Sequence, residues 1–257
     1  MSEFTPTPER QKQILSLLVK QGRLSVTEIV EQFSISEATA RRDLESLASQ
    51  GKAQRVHGGV IAVEEAPPEL PILQREGEQV DEKSHIGRAA AELIIDGETI
   101  FLGSGTTVLE TAKHLRERKN LTVITNSLPV LNALAGIKDI SVVSLGGQLR
   151  ESELSFIGHI TEQALAEVRV DKVIIGTRGL SLEHGLTNDY LQETLTDRAI
   201  LKIGREVIVV ADHTKVNRVS TALLAPLNSM NTLITDSKAD KKFIQSLKKQ
   251  DIKVVIA

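Results

Sequence analysis

A change of pattern near residue 70 predicts a multi-domain chain: a mostly α N-terminal unit with a small β element, then an α/β domain on a mostly parallel sheet. Three observations carry this. The first 50 residues hold three segments of helical apolar period, each bounded by a cap or a glycine. An acidic, proline-rich stretch, "EEAPPELP", then interrupts. Beyond it seven short β-branched-rich runs alternate with helical segments. At 257 residues, 40% hydrophobic and 25% charged, the chain is long enough for two cores.

Thr7 and Pro8 read as the N-cap and first-turn proline of a helix whose stripe is Ile14, Leu17 and Leu18 and which stops near Gly22. In "SVTE" the Ser25 hydroxyl and the Glu28 carboxylate form a capping box, opening a short second helix with Val26, Ile29, Val30 and Phe33 inside. Ser36 caps a third, in which Ala40, Leu44, Leu47 and Ala48 recur at i, i+4, i+7 and i+8, and Gly51 ends the run. "KAQRVHGGVIAV" alternates apolar positions about a Gly-Gly turn and predicts a two-stranded flap. The expected boundaries are residues 1–62 for the first domain, 63–72 for a linker and 73–257 for the second domain. In that domain "TIFLG", "LTVITN", "ISVVSLGG", "DKVIIGT", "EVIVVAD", "TLITDS" and "IKVVIA" predict strands of a sheet covered on both faces.

Composition narrows the chemistry. There is no cysteine, hence no disulfide, thiolate zinc site or cysteine nucleophile, and the six histidines lie far apart without His-x-x-x-His spacing, so no metal is expected. No run of 18 apolar residues occurs and the N-terminus is too polar for a signal peptide, which makes a cytoplasmic protein without membrane attachment the expectation. Net charge is -3, and the first 60 residues hold eight Lys/Arg against seven Asp/Glu, a surplus of one. Any DNA binding must therefore rest on where charge is placed.

That placement is found in "SISEATARRDLESL". Turning about 100° per residue from Ala40 buries Leu44, Leu47 and Ala48, while Ala38, Thr39 and Arg42 point away and Arg41 sits on the flank. A tight turn between the second and third helices makes a helix-turn-helix, whose last helix enters the major groove with its N-terminal residues. Arginine suits that position because its planar fork takes guanine O6 and N7, or a phosphate, with two hydrogen bonds. The competing reading is a solvated helical face with an Arg41–Glu45 pair, or a protein-contact module.

Residues 8 to 60, "PERQKQILSLLVKQGRLSVTEIVEQFSISEATARRDLESLASQGKAQRVHGGV", resemble the DeoR family of bacterial transcriptional regulators, although Ala40 stands where that family usually has Ile or Val. The resemblance implies a winged helix-turn-helix with Ser36, Thr39, Arg41 and Arg42 at double-stranded operator DNA, and Arg55 and His57 on the wing.

In the second half, "TIFLGSGTTVLETAKHL" sets Gly103, Ser104, Gly105, Thr106 and Thr107 between a strand and a helix. Glycines permit close backbone approach, and a helix N-terminus offers unpaired N–H groups to an anion; a plain turn and cap would look similar. It is neither a P-loop nor a G-x-G-x-x-G fingerprint. Asn126 and Ser127, Gly146 and Gly147 with Arg150, Thr177 and Arg178, and Asp212 to Lys215 follow successive apolar runs. In a parallel sheet these ends share the edge where open α/β sheets bind ligands. Lys215 is a candidate charge partner for an anion on the Gly103–Thr107 loop.

The resemblance continues through "EKSHIGRAAAELIIDGETIFLGSGTT", "TNS", "GGQLR", "GLT", "YLQE" and "DHTK". It implies an effector domain similar in fold to ribose-5-phosphate isomerase, with a phosphorylated sugar as allosteric effector, no cofactor, and self-association as dimer or tetramer. Gly103 to Thr107 and Lys215 would hold phosphate, and Glu193 falls where the isomerase has its catalytic Glu. In the family an acidic residue often precedes the loop glycine, where this chain has Gly103 and Ser104. "GTRG" at Gly176 to Gly179 replaces the isomerase's Asp-Gly-Ala-Asp and removes two carboxylates, so binding without turnover is expected, with no catalytic residue. The reading is a repressor of carbohydrate-catabolism genes modulated by a sugar phosphate; the alternative is an isomerase-like enzyme carrying a DNA-binding module, and an architectural DNA binder ranks below both.

Overall fold

The computed structural model describes residues 7–49, 52–56, 58–62, 64–65 and 70–257. His57, Gly51 and the middle of the expected linker lie outside them. The chain divides into two compact units, residues 1–65 and 66–257.

The first unit runs α1 (Thr7–Gln21), β1 (Arg23–Ser25), α2 (Val26–Phe33), α3 (Glu37–Ser49), β2 (Ala53–Val56) and β3 (Gly59–Ala62). Ile14, Leu18, Leu24, Ile29, Ala40, Leu44, Leu47 and Val60 close its core. The capping box forms at α2: the Glu28 N–H donates to Ser25 Oγ at 3.1 Å and the Ser25 N–H to the Glu28 carboxylate at 2.6 Å. The expected two-stranded flap has a third strand, since β1 pairs antiparallel with β3 and the sheet order is β1-β3-β2. Three residues are too few to show a period. The pairing depends on Gly59, where a Cβ would sit 2.2 Å from the Leu24 carbonyl oxygen.

The second unit begins, after the two-residue strand β4 (Glu64–Glu65) of the first, with α4 (Ile72–Arg75) and α5 (Val80–Glu92). There follow β5 (Thr99–Leu102), α6 (Thr106–Lys113), β6 (Leu121–Thr125), α7 (Leu128–Leu134), β7 (Ile140–Ser144) and the hairpin β8 (Gln148–Arg150) and β9 (Ser155–Ile157). After α8 (His159–Ala166) come β10 (Val170–Ile175), β11 (Gly179–Ser181), β12 (Gly185–Asn188), α9 (Leu191–Leu201) and β13 (Gly204–Val210). The chain closes with β14 (Arg218–Val219), β15 (Ala222–Ala225), β16 (Thr232–Thr235), α10 (Lys241–Lys248) and β17 (Lys253–Ile256).

All seven expected runs are strands of one parallel sheet, ordered β17-β16-β13-β10-β5-β6-β7. Period-two alternation feeds two cores: Phe101, Val173, Val207 and Val209 face one side, Ile100, Ile174, Ile208 and Val210 the other. The chain winds outward from β5 to β7, returns to β10 beside β5, and winds outward the opposite way to β17. A crevice therefore opens between the carboxyl ends of β5 and β10, where the strand order reverses and neighbouring loops diverge.

Candidate DNA interface and effector pocket

On α3 Ala40, Asp43, Leu44, Leu47 and Ala48 are buried, while Glu37, Ala38, Arg41, Arg42 and Glu45 are exposed. Ser36 accepts the Thr39 N–H at 3.2 Å, and the two hydroxyls lie 2.8 Å apart. Arg41 is bonded to Glu37 at 2.6 Å rather than to Glu45; a carboxylate one turn N-terminal to the base is the better-placed helical partner. Arg55 is half-buried on β2, its Nη1 buried and without a hydrogen-bond partner among the described residues. Sequence reasoning missed the contact that orients this helix. Arg10 of α1 and Asp43 form a buried ion pair at 2.6 Å, and Gln11 donates to the other Asp43 oxygen at 3.1 Å. A carboxylate on the buried stripe beside two exposed arginines was the available signal.

In the second unit a pocket occupies the crevice between β5 and β10. Ser104, Gly105, Thr106, Thr107, Thr177, Arg178, Glu193 and Lys215 line it, and its polar wall also includes Arg75, Glu78, Lys83, Glu153, Asp197 and Asp212. Gly105 precedes α6 at φ +110°, a backbone setting that glycine adopts without strain, and no side chain caps the helix there. Gly103 does not line the pocket; it donates its N–H to the Ile174 carbonyl at 3.0 Å.

Glu193 is buried at the junction of three elements. Ser104 of the loop donates to it at 3.4 Å and Ser155 of β9 at 3.0 Å, while Arg150 of β8 pairs with its second oxygen. The Arg150 guanidinium also stacks 4.7 Å from the Tyr190 ring centre. So held, the carboxylate accepts from two hydroxyls and one guanidinium. Arg150 thus reaches the site through Glu193. Asn126, Ser127, Gly146 and Gly147 do not line the pocket. Asn126 donates to the Phe156 carbonyl at 2.9 Å, Ser127 caps α7 at Val130, and Gly146 accepts the Thr161 hydroxyl at 2.8 Å, with Gly147 tight against the same threonine.

Lys83 is the principal residue that the sequence reading passed over. It is only 5% exposed, and its ammonium donates to the Arg75 carbonyl at 2.6 Å. Burial pushes its pKa below the lysine norm of 10.5; Asp212 acts in the opposite direction, and Lys215 and Arg75 add to the depression. On α5 it shares the buried stripe with Ile86 and Ala90, an anomaly legible at helical period. A bound anion would offset the repulsion among these cations. Chemically the pocket combines free helix N–H groups and ammonium groups for an anion with carboxylates that accept hydroxyl groups.

A helix-turn-helix unit ahead of an α/β unit with a switch-point pocket defines a class of ligand-sensing regulators. Residues 10–66 match the DeoR-like helix-turn-helix domain and residues 78–237 the DeoR C terminal sensor domain; the chain belongs to the DeoR family of transcriptional regulators. It is 36% identical to the transcriptional repressor AccR of Agrobacterium fabrum over 91% of each chain. With the glycerol-3-phosphate regulon repressor of Escherichia coli identity is 34% over 93% of this chain and 94% of that one. With the transcriptional repressor GlcR of Bacillus subtilis it is 33% over 96% and 95%. Among solved structures, the sorbitol operon regulator SorC from Klebsiella pneumoniae is 12% identical at TM-score 0.42, over 95% of this chain and all of that one. Ribose 5-phosphate isomerase A from Methanocaldococcus jannaschii is 19% identical at TM-score 0.41, over 54% and 55%. No helix among the described residues is long and apolar enough to cross a membrane.

Proposed function

We propose that this chain is a cytoplasmic repressor of carbohydrate-catabolism genes. Residues 1–62 bind operator DNA through Ser36, Thr39, Arg41, Arg42 and Arg55, with His57 outside the described residues; 63–72 are a linker, and 73–257 sense a phosphorylated sugar. The observation that carries the ligand class is the meeting of the Ser104–Thr107 helix N-terminus with Lys83 and Lys215 in one pocket. A phosphoryl group there receives backbone N–H groups and two ammonium charges, while Glu193 and Asp212 accept sugar hydroxyls. The name of one relative, the glycerol-3-phosphate regulon repressor, agrees in kind. Glu193, tied to Arg150 and two serines, serves as an acceptor and not as a proton-shuttling base, so the ligand is bound without turnover. Self-association as dimer or tetramer is supported by the exposed Leu191 and Leu195 on α9 and Leu223 on the adjoining β15.

A thermal-shift series on the full chain tests this reading against paired phosphorylated and unphosphorylated sugars. Stabilisation confined to the phosphorylated members, with the bound sugar recovered unchanged by NMR, is expected. Stabilisation by the unphosphorylated members alone would reject the anion site, and isomerisation of the sugar would make the chain an enzyme.

A further inference from the structure

The hairpin turn between β8 and β9 has two flanks with different partners. On one, Arg150 and Ser155 hold Glu193 in the pocket. On the other, Ser152 and Glu153 hold α4: the Ile72 N–H donates to the Ser152 carbonyl at 2.7 Å, and the Arg75 guanidinium bonds both oxygens of Glu153. Helix α4 is clasped a third time by Lys83, whose ammonium takes the Arg75 carbonyl at 2.6 Å. Arg75, Lys83 and Glu153 are all buried, and Ile72 is 1% exposed. Arg75 further fixes the chain ahead of α4, donating from Nε to the Leu70 carbonyl at 2.8 Å.

Helix α4 is also the first helix after the segment that leads from the DNA-binding unit. Every group that clasps it either lines the pocket or belongs to the hairpin that lines it. A ligand anion competes with the Arg75 carbonyl for Lys83, and a ligand hydroxyl competes with Arg150 and Ser155 for Glu193. Both exchanges act on the same small element. A buried ion pair and a fully packed isoleucine do not yield gradually; such a contact is made or lost, as a two-state coupling element requires.

We propose that the α4–hairpin clasp is the element through which pocket occupancy is communicated to the chain entering the DNA-binding unit. This rests on the sugar-phosphate reading above for the nature of the ligand, but not for the clasp itself. The coupling it predicts is reciprocal: operator binding changes ligand affinity by the same factor as the ligand changes operator affinity.

The test uses the full chain, an operator selected by it from random duplex DNA, and the sugar phosphates of the panel. Ile72→Ala loosens α4 without altering a residue that lines the pocket, and Ile72→Val is the milder substitute where the alanine variant does not fold. The variant is expected to keep the ligand-induced thermal shift while the ligand's effect on operator Kd shrinks at least three-fold. In the wild-type chain, amide exchange over residues 72–78 should change on ligand binding. A ligand effect on operator Kd that survives in full, or unchanged exchange over 72–78, would overturn the proposal. So would loss of ligand binding in the variant, which would make α4 mere pocket wall. Where no sugar phosphate stabilises the wild-type chain, the ligand class falls, and the clasp is judged without ligand. A three-fold difference in operator Kd between variant and wild type then upholds it, and equal values overturn it.

Discussion

Arg41, Arg42 and Asp43 are consecutive, yet packing gives each a separate task. Arg42 is exposed and Arg41 is held by Glu37, so Arg42 is the better placed of the two to meet DNA. Arg42→Ala is expected to weaken operator binding by about 1 to 3 kcal/mol and relax specificity at one base pair if it reads a base, or to reduce the salt slope by about one if it touches phosphate. Titrations at several salt concentrations separate the two roles, and unchanged affinity would reject both. Asp43 serves stability instead. Asp43→Ala leaves the Arg10 guanidinium buried without its carboxylate, a loss on the order of 3 to 5 kcal/mol in unfolding free energy. Denaturant titration of the variant checks it, and the double variant Arg10→Met, Asp43→Leu should recover much of the loss.

At the level of elements, the turn carrying Asp212 and Lys215 is anchored from the end of β16. Asp236 receives the His213 N–H at 2.6 Å, the Lys238 N–H at 2.9 Å and the His213 ring at 3.0 Å. Burial alone would raise its pKa, but these donors prevail and hold it below the usual 3.8. A carboxylate with a depressed folded-state pKa contributes stability that is present above the unfolded value and disappears as pH falls through the folded one. Asp236→Asn should therefore lose stability at neutral pH and show a flatter acid-side decline, read from urea midpoints between neutrality and about pH 3. Elements with a period or a cap were legible: α2 through its capping box, α3 through Ala40, Leu44 and Leu47, and the seven strands through their apolar runs. Strand β1 was not, because its three residues acquire meaning only from the partner strand β3.

For the whole molecule, the sheet order decides where ligand chemistry collects. The reversal between β5 and β10 draws Ser104–Thr107, Thr177 and Lys215 together from distant segments. A ligand at about 100 times its Kd should stabilise the sensing unit by about 2.7 kcal/mol, and Lys83→Met should abolish most of that gain for phosphorylated ligands. Isothermal titration and melting of the two proteins decide it; equal affinity in the variant would remove Lys83 from the site.

The sequence alone determined the class of each half, the seven strands of the sheet, the exposed arginines of α3 and the glycine loop ahead of α6. Periodicity, capping and loop chemistry act between residues a few positions apart, so a linear reading reaches them. Tertiary structure decided which of the polar strand-end residues face the pocket, turning Asn126, Ser127, Gly146 and Gly147 to structural bonds. It also brought Lys83 to the pocket, paired Arg75 with Glu153 and joined Arg150 to Glu193. Those partners lie far apart along the chain, and a buried charge is tolerable only beside the group that compensates it, which packing alone supplies.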